Sequence, residues 1–155
     1  MENKIKIRNI LISVLFTITI AALAAIFTEV QSDWYKNLEL PAFQPPGIVF
    51  SVVWAALYIL FAVSTALYTS NNGYKKSVAL LYILNGILNP LWTYVFFNRH
   101  NIFGALFLLI VMLYAAISLY KKVYEKNSTA AYLLLPYILW LAFALYLNYE
   151  TAFLN

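Results

Sequence analysis

Five long apolar stretches, separated by short polar segments, dominate the pattern of the chain. They cover residues 9–28, 40–74, 77–98, 101–120 and 127–149, and none contains an aspartate, glutamate, lysine or arginine. Each holds about 20 predominantly apolar residues, enough at about 1.5 Å rise per residue to cross a hydrocarbon core of about 30 Å. The pattern predicts an all-α membrane protein, a five-transmembrane-helix bundle with a long structured loop between the first and second helices.

The boundaries of the helices follow from the polar and proline residues that flank the apolar stretches. The predicted helices cover about 7–28, 47–68, 77–97, 102–120 and 129–148, with a lid loop over 29–46. Short connections predict that consecutive helices pack as antiparallel neighbours. Pro136 is expected to bend the fifth helix because proline has no backbone N–H to donate. No repeat is visible, so residues 1–155 are expected to form a single domain.

Composition supports the membrane assignment. Hydrophobic residues make up 64% of the chain and charged residues 10%, whereas a soluble domain averages about 25% charged residues. The absence of cysteine excludes disulfides and thiolate chemistry. The basic N-terminus followed by an apolar run resembles a cleavable signal peptide, but a run of about 18 residues is long for one. We therefore expect the first helix to be retained.

The distribution of charge predicts an orientation. Eight basic residues lie at the N-terminus and in the second and fourth connections, and two lie on the other side; the eight are Lys4, Lys6, Arg8, Lys75, Lys76, Lys121, Lys122 and Lys126. This excess predicts an N-terminus in the cytoplasm and a lid loop and C-terminus outside, and we expect a bacterial cell membrane. The net charge of +4 is explained by topology, and no nucleic-acid partner is expected.

The lid loop differs from the short polar turns that usually connect membrane helices. Its segment from Trp34 to Pro46 carries aromatic residues and three prolines, and Pro46 is placed to begin the second helix. Residues 31–38 are predicted to form a short helix. A loop with so much to bury is expected to cover the mouth of a cavity that the helices enclose.

The apolar stretches lack the groups of ordinary catalysis and ion transport. Intramembrane charges usually mark proton relays and ion pathways, so their absence argues against a proton-coupled pump or a charged-ring channel. The chain shows no metal-ligating cluster and no acid–base or nucleophilic arrangement. His100, the only histidine, is expected to be solvated. We therefore predict no metal and no required cofactor.

Aromatic and amide residues form a stripe on each of three helices. The stripes are Trp54, Tyr58, Phe61 and Thr65; Asn85, Asn89, Trp92 and Phe96; and Tyr137, Trp140, Ala144 and Asn148. Helix directions place Trp54, Trp92 and Trp140 about 10 Å below the same surface. We interpret them as the wall of a ligand pocket, the alternative being an aromatic belt at the membrane interface. Interhelical hydrogen bonding is the alternative role for Asn85 and Asn89.

These residues resemble the pattern of the TspO/MBR family, which comprises bacterial tryptophan-rich sensory proteins and the mitochondrial translocator protein, or peripheral benzodiazepine receptor. The resemblance covers nearly the whole chain after residue 30. Its elements are Trp34-Tyr35, Leu38, Pro41, Pro45-Pro46, Val53-Trp54, Leu57-Tyr58, Leu88-Asn89, Trp92, Phe96-Phe97, Pro136-Tyr137, Trp140, Phe143-Ala144, Leu147-Asn148 and Leu154-Asn155.

The resemblance implies a five-helix bundle, often a homodimer, whose pocket under the lid loop binds porphyrins such as protoporphyrin IX, sterols, or benzodiazepine- and isoquinoline-type drugs. By position, the pocket residues would be Tyr35, Pro45, Trp54, Asn89, Trp92, Trp140, Ala144 and Leu147. The stripes add Tyr58 and Phe96. Phe43 stands where the family often has tryptophan and would keep an aromatic wall.

Two further departures from the family pattern bear on ligand choice. Pro90 is an addition to the third helix and is expected to reshape the floor of the pocket. The C-terminal sterol motif lacks its basic residue, because Glu150 follows the tyrosine, so sterol recognition is not predicted from it.

The sequence leaves three functions open. The leading one is a membrane receptor or translocator-type protein for a flat hydrophobic tetrapyrrole. The second is a light- and oxygen-dependent porphyrin-degrading enzyme, in which Trp54 and Trp140 would be the catalytic residues. The third is a sterol-binding or stress-response scaffold whose pocket is incidental.

Overall fold

A computed structural model describes residues 2–73 and 75–155, with side chains from Lys6 onward. The helices are α1 (Glu2–Phe27), α2 (Asp33–Lys36), α3 (Gly47–Asn72), α4 (Lys76–Thr93), α5 (Ile102–Tyr124), α6 (Ser128–Tyr132) and α7 (Leu135–Leu154). A π-helical turn over Tyr94–Asn98 extends α4. The described residues contain no strand and give five helical spans long and apolar enough to cross a membrane. The predicted fold class is confirmed.

Helices α3 and α5 each extend four residues beyond their predicted ends. In α3 the hydroxyl of Thr69 donates to the Thr65 carbonyl at 2.8 Å, which keeps a polar side chain satisfied inside a helix. In α5 the buried Val123 continues the apolar face past Lys121 and Lys122. Polar residues were therefore poor markers of where these two helices end.

Pro136 was expected to bend the fifth predicted helix, and the structure instead interrupts that helix just before the proline. Helix α6 ends at Tyr132 and α7 begins at Leu135, so that the proline occupies the first turn of α7. There its missing N–H removes no helical bond. Helix α7 then continues to Leu154, beyond the predicted end, because the polar Thr151 is buried and donates to the Leu147 carbonyl.

The packing order of the helices differs from the order along the chain. Helix α1 packs against both α3 and α4, while α5 packs against α4 and α7, and α6 lies against α3. The expectation that all consecutive helices are close neighbours is wrong for α3 and α4, which do not pack along their lengths. Large side chains bridge them instead: the rings of Phe61 and Tyr82 are 5.3 Å apart.

Candidate ligand-binding cavity

A cavity of about 580 Å³ lies between α1, α3, α4 and α7, beneath the loop that carries α2. Its volume is in the range of small-molecule sites, about 300–1,000 Å³. The lining residues are Ala21, Ala24, Ala25, Thr28, Val30, Tyr35, Leu40, Gln44, Pro45, Gly47, Phe50, Ser51, Trp54, Ala55, Tyr58, Asn89, Trp92, Thr93, Phe96, Phe97, Ala144, Leu147, Asn148 and Thr151.

Small side chains keep this space open. Ala21, Ala24 and Ala25 line it from α1, Ala55 from α3 and Ala144 from α7. The three alanines of α1 recur at the spacing of one helical face, which directs them all toward the cavity. Because each of these side chains is only a methyl group, the space between the helices stays open.

Aromatic rings form two walls of the cavity. On α3, the rings of Trp54 and Tyr58 lie 5.7 Å apart. Trp92 on α4 and Phe96 on the π-helical turn that extends α4 are stacked, with centroids 5.9 Å apart and an interplanar angle of 28°. Such surfaces offer flat, apolar contact area to a ligand with its own π-system.

Hydrogen bonds between helices fix the polar groups of the wall. The Tyr58 hydroxyl donates to Asn89 Oδ1 at 2.7 Å and joins α3 to α4. The indole N–H of Trp92 donates to Asn148 Oδ1 at 3.1 Å, and Asn148 Nδ2 donates to the Ile102 carbonyl. Asn89 lines the cavity, and its amide nitrogen makes no hydrogen bond to another described group, which leaves a donor without a partner in the wall.

Asn85 lies one turn below Asn89 and has a structural role. Its amide nitrogen donates to the Leu81 carbonyl at 2.9 Å, and its oxygen accepts from the Tyr137 hydroxyl at 3.4 Å. It lines a separate void of about 20 Å³ rather than the large cavity. Asn85 therefore has the interhelical hydrogen-bonding role that was its alternative in the sequence analysis.

The lid loop is held down by aromatic contacts. The hydroxyl of Ser32 caps α2 by accepting from the Tyr35 N–H at 3.3 Å. Trp34 stacks on His100 with centroids 4.3 Å apart and meets the edge of Phe96 at 5.5 Å. Tyr35 packs on Phe97 at 5.3 Å. The short helix predicted over 31–38 forms at Asp33–Lys36 and supplies both rings.

Two polar contacts close the lid at its edges. Burial raises the pKa of the Tyr35 phenol, an effect that its hydrogen bond with Gln44 partly offsets, so this group is neutral at physiological pH. The Glu39 N–H donates to Asn155 Oδ1 at 3.0 Å, and Asn155 Nδ2 donates back to the Glu39 carbonyl at 2.9 Å. This reciprocal pair ties the loop to the end of α7.

Nine of the eleven ligand-binding residues predicted from the sequence line the cavity: Tyr35, Pro45, Trp54, Tyr58, Asn89, Trp92, Phe96, Ala144 and Leu147. Phe43 and Trp140 do not. The Phe43 side chain is 69% exposed, because its turn in the lid carries it away from the helices. Trp140 stands behind the wall, with its ring 5.5 Å from that of Phe50, which does line the cavity.

The expected convergence of three tryptophans is therefore met by Trp54 and Trp92 and not by Trp140. The Trp140 indole N–H is buried and has no hydrogen-bond partner among the described residues. Its ring also packs against Phe143 at 5.4 Å. The part of these residues in ligand binding remains a prediction.

Sequence reasoning missed the whole contribution of α1. Ala21, Ala24, Ala25 and Thr28 line the cavity, although Ala21 and Ala25 at four-residue spacing usually indicate close helix contact. Small residues permit either close packing or an open space, and the pattern does not distinguish the two. The signal that could have found this wall is the recurrence of small residues on the loop-proximal half of α1.

The lining residues include no aspartate, glutamate, lysine, arginine or histidine. Across the described residues, no group of three or more histidine, cysteine or acidic side chains could hold a metal ion. The cavity can therefore offer stacking surfaces, amide and hydroxyl groups and exclusion of water. It suits the binding of a hydrophobic ligand better than acid–base chemistry.

A sequence model of the TspO/MBR family matches residues 13–154. The chain belongs to the TspO/MBR family. It is 32% identical to the tryptophan-rich protein TspO of Bacillus cereus over 133 residues, covering 85% of this chain and 87% of the relative. It is 32% identical to the tryptophan-rich protein TspO of Archaeoglobus fulgidus, with 96% and 98% covered. It is 34% identical to the human translocator protein, with 75% and 71% covered.

Membership of the TspO/MBR family and five apolar spans together show an integral membrane protein of the translocator and tryptophan-rich sensory type. The family match begins within α1 and ends at the last residue of α7, and every residue that lines the cavity lies within it.

Proposed function

We propose that this protein is a membrane receptor or translocator-type protein that binds a porphyrin, such as protoporphyrin IX or a haem-related tetrapyrrole, in the cavity beneath the lid loop. The observation that carries the proposal is the cavity itself: about 580 Å³, walled by paired aromatic rings and capped by a folded loop. Benzodiazepine- and isoquinoline-type drugs, flat and apolar, would occupy the same space.

The chemistry of the wall is complementary to such a ligand. Trp54, Tyr58, Trp92 and Phe96 provide faces for stacking, and the free amide nitrogen of Asn89 provides a donor for a polar edge. Lys36 and Arg99 are exposed near the lid. They are the cations that would pair with the propionate groups of a porphyrin at the mouth.

The orientation predicted from charge would place the lid and the mouth on the outer side of the membrane, with the basic end of the bundle in the cytoplasm. The wall carries no charge that could couple ligand movement to an ion gradient. Movement of the ligand through the protein would therefore be downhill. A homodimer, expected from the family resemblance, would leave each copy with its own cavity.

The test is porphyrin binding, followed by quenching of tryptophan fluorescence in the purified protein. We expect Trp54→Ala to weaken binding by about 10-fold or more, because a stacked ring contributes about 0.5–1.5 kcal/mol beyond its buried area. Trp140→Phe should have a smaller effect because Trp140 lies behind Phe50. Tyr114→Ala, on the exposed surface of α5, is the matched control. Unchanged affinity in Trp54→Ala would refute the pocket assignment.

Illumination of the same complexes separates binding from degradation. Trp54 in the wall favours the photo-oxidative enzyme as the second candidate, since an indole beside a bound porphyrin could quench or donate to its excited state. A defined product that forms only with intact Trp54 and Trp140 would support the enzyme. Bleaching at the rate of free porphyrin would reject the enzyme and support the receptor. Failure of porphyrin to displace a drug-like ligand from the cavity would support the scaffold function.

A further inference from the structure

A second cavity, of about 160 Å³, lies at the end of the bundle opposite the lid, between α1, α3 and α4. Its wall is mostly apolar and includes Phe16, Val78 and Ala79. Ile12 and Ile83 also line it and are each 44% exposed, so their other sides face the surroundings of the bundle. In a membrane those surroundings are lipid chains, and the cavity therefore opens toward the bilayer between α1 and α4.

Two buried polar groups at this end lack a partner. The Tyr68 side chain lines the cavity and is 1% exposed, yet its hydroxyl has no hydrogen bond to any described group. Asn9 is 2% exposed; its Nδ2 donates to the carbonyl of Thr69, a lining residue, while its Oδ1 accepts nothing among the described residues. An unpaired buried polar group costs about 1–3 kcal/mol. Asn9 does not line the cavity, so the Tyr68 hydroxyl is the group that indicates a ligand with a polar acceptor at this site.

The start of α4 supplies the charge. Lys75 is its N-cap residue and Lys76 its first residue, with no acidic residue in the first turn and no side-chain cap. A helix N-terminus favours anions, so two adjacent lysines there are unfavourable unless an anion binds between them and the free N–H groups. Lys75 also lines the cavity. An anionic head at α4 and an apolar chain in the cavity would satisfy both features.

The charge of the surrounding segments also favours an anionic ligand. The N-terminus and the two connections at this end carry eight basic and two acidic residues, the acidic ones being Glu2 and Glu125. Basic pockets between helices, on the side where basic residues are concentrated, are suited to anionic lipid head groups. Tyr68 lies one turn before the end of α3, and Lys75 lies in the connection that follows. With a phosphate on Lys75, the acceptor nearest to the Tyr68 hydroxyl would be an ester carbonyl of the same lipid.

We propose that this second cavity is a binding site for an anionic phospholipid, with its phosphate on Lys75 and Lys76, an ester carbonyl on the Tyr68 hydroxyl and part of an acyl chain beside Phe16 and Val78. A phospholipid fits better than a fatty acid, which would leave the Tyr68 hydroxyl without an acceptor once its carboxylate sits on the lysines. The site is separate from the cavity beneath the lid and does not depend on the ligand bound there.

The experiment measures lipid retained by the purified full chain, counted by native mass spectrometry after exchange into mixed phosphatidylglycerol and phosphatidylcholine. The protein should retain phosphatidylglycerol preferentially. Lys75→Gln with Lys76→Gln should lower that retention, by about five-fold for each lysine. Lys121→Gln with Lys122→Gln removes the same charge from the same end without touching the cavity, and should leave retention within about two-fold.

Two further variants test the cavity itself. Ala79→Phe should fill it and reduce retention, whereas Leu80→Phe, on the exposed side of the same helix, should not. Tyr68→Phe should weaken ester-linked but not ether-linked phosphatidylglycerol, and an equal effect on both would refute the carbonyl contact. Circular dichroism and the thermal midpoint check that each variant is folded.

Several results would overturn the site. These are equal retention of the two lipids by the unaltered protein, equal losses in the two lysine pairs, and no loss of retention in an Ala79→Phe variant that remains folded. Glycerol phosphate serves as the head group alone. If it binds as tightly as the lipid, the cavity contributes nothing and the proposal fails.

Discussion

The two ends of the bundle contain the same helices but fill the space between them differently. At the lid end, alanines on α1, α3 and α7 leave a cavity of about 580 Å³. Toward the other end the rings of Phe61, Tyr68 and Tyr82 occupy the corresponding space, and a cavity of about 160 Å³ remains. The size of the side chains on facing helices, more than the course of the helices, decides where this protein is open.

The packed layer around Ser64 and Tyr82 also differs from the wall of the lid-end cavity in its polar groups. Toward the basic end, the Ser64 hydroxyl donates to the Ala130 carbonyl at 2.7 Å and pairs with the Tyr82 hydroxyl at 2.8 Å, so these groups are consumed by the fold. Asn89 lines the lid-end cavity, and its amide nitrogen makes no hydrogen bond to another described group. A satisfied network rigidifies a core, whereas an open donor at a cavity wall is available for recognition.

The largest effect should come from closing the lid-end cavity. Ala24 is buried and lines it from α1, so Ala24→Phe places a ring where the ligand would sit. Overpacking costs about 1–3 kcal/mol, and we expect porphyrin affinity to fall by about 10- to 100-fold. The measurement is a fluorescence titration of the purified protein. Ala22→Phe, on the exposed side of the same helix, is the control, and equal losses in both variants would contradict the comparison.

Shortening a side chain in the packed middle of the bundle should lower the stability of the protein and not its affinity for porphyrin. Phe61 is buried against Tyr82 and Tyr137, and Phe61→Ala removes this bridge between α3, α4 and α7. We expect a loss of about 2 kcal/mol in the free energy of unfolding, below the usual 3–5 because lipid offers no hydrophobic driving force between helices. Denaturation of the reconstituted protein measures it.

The matched control is Ile59→Ala, which shortens a side chain on the exposed face of the same helix. Porphyrin affinity should stay within about two-fold in Phe61→Ala if the two regions are energetically separate. A loss of affinity as large as that in Ala24→Phe would show that the packed region and the cavity form one unit.

The smallest effect should come from the edge of the lid. Asn155→Ala removes the reciprocal pair of hydrogen bonds with Glu39, each worth about 1 kcal/mol or less because both groups are exposed. We expect the bound porphyrin to dissociate about two- to five-fold faster, with the association rate little changed. Stopped-flow fluorescence measures both rates. Leu154→Ala is the neighbouring control, and no change in dissociation would mean that the aromatic contacts alone hold the lid.

Much of the site could be predicted from helical spacing. Trp54 and Tyr58, and likewise Asn89, Trp92 and Phe96, recur on one face of a helix, and the structure brings these faces together at the cavity. Spacing was less informative for α7, where Ala144 and Leu147 line the cavity but Trp140 does not. Pro136 and the break before α7 alter the course of this span, and a small rotation is enough to exchange one side chain for its neighbour on the wall.

The sequence by itself determined the class of this protein, its five spans, an irregularity at Pro136 and the aromatic faces of α3 and α4. These features depend on the composition and periodicity of single segments, which act over a few turns of helix. The tertiary structure decided that α1, and not α4, packs along α3, that alanines of α1 complete the cavity, and that Trp140 stands behind it. Those outcomes depend on how facing side chains share the space between helices, a property that no segment carries alone.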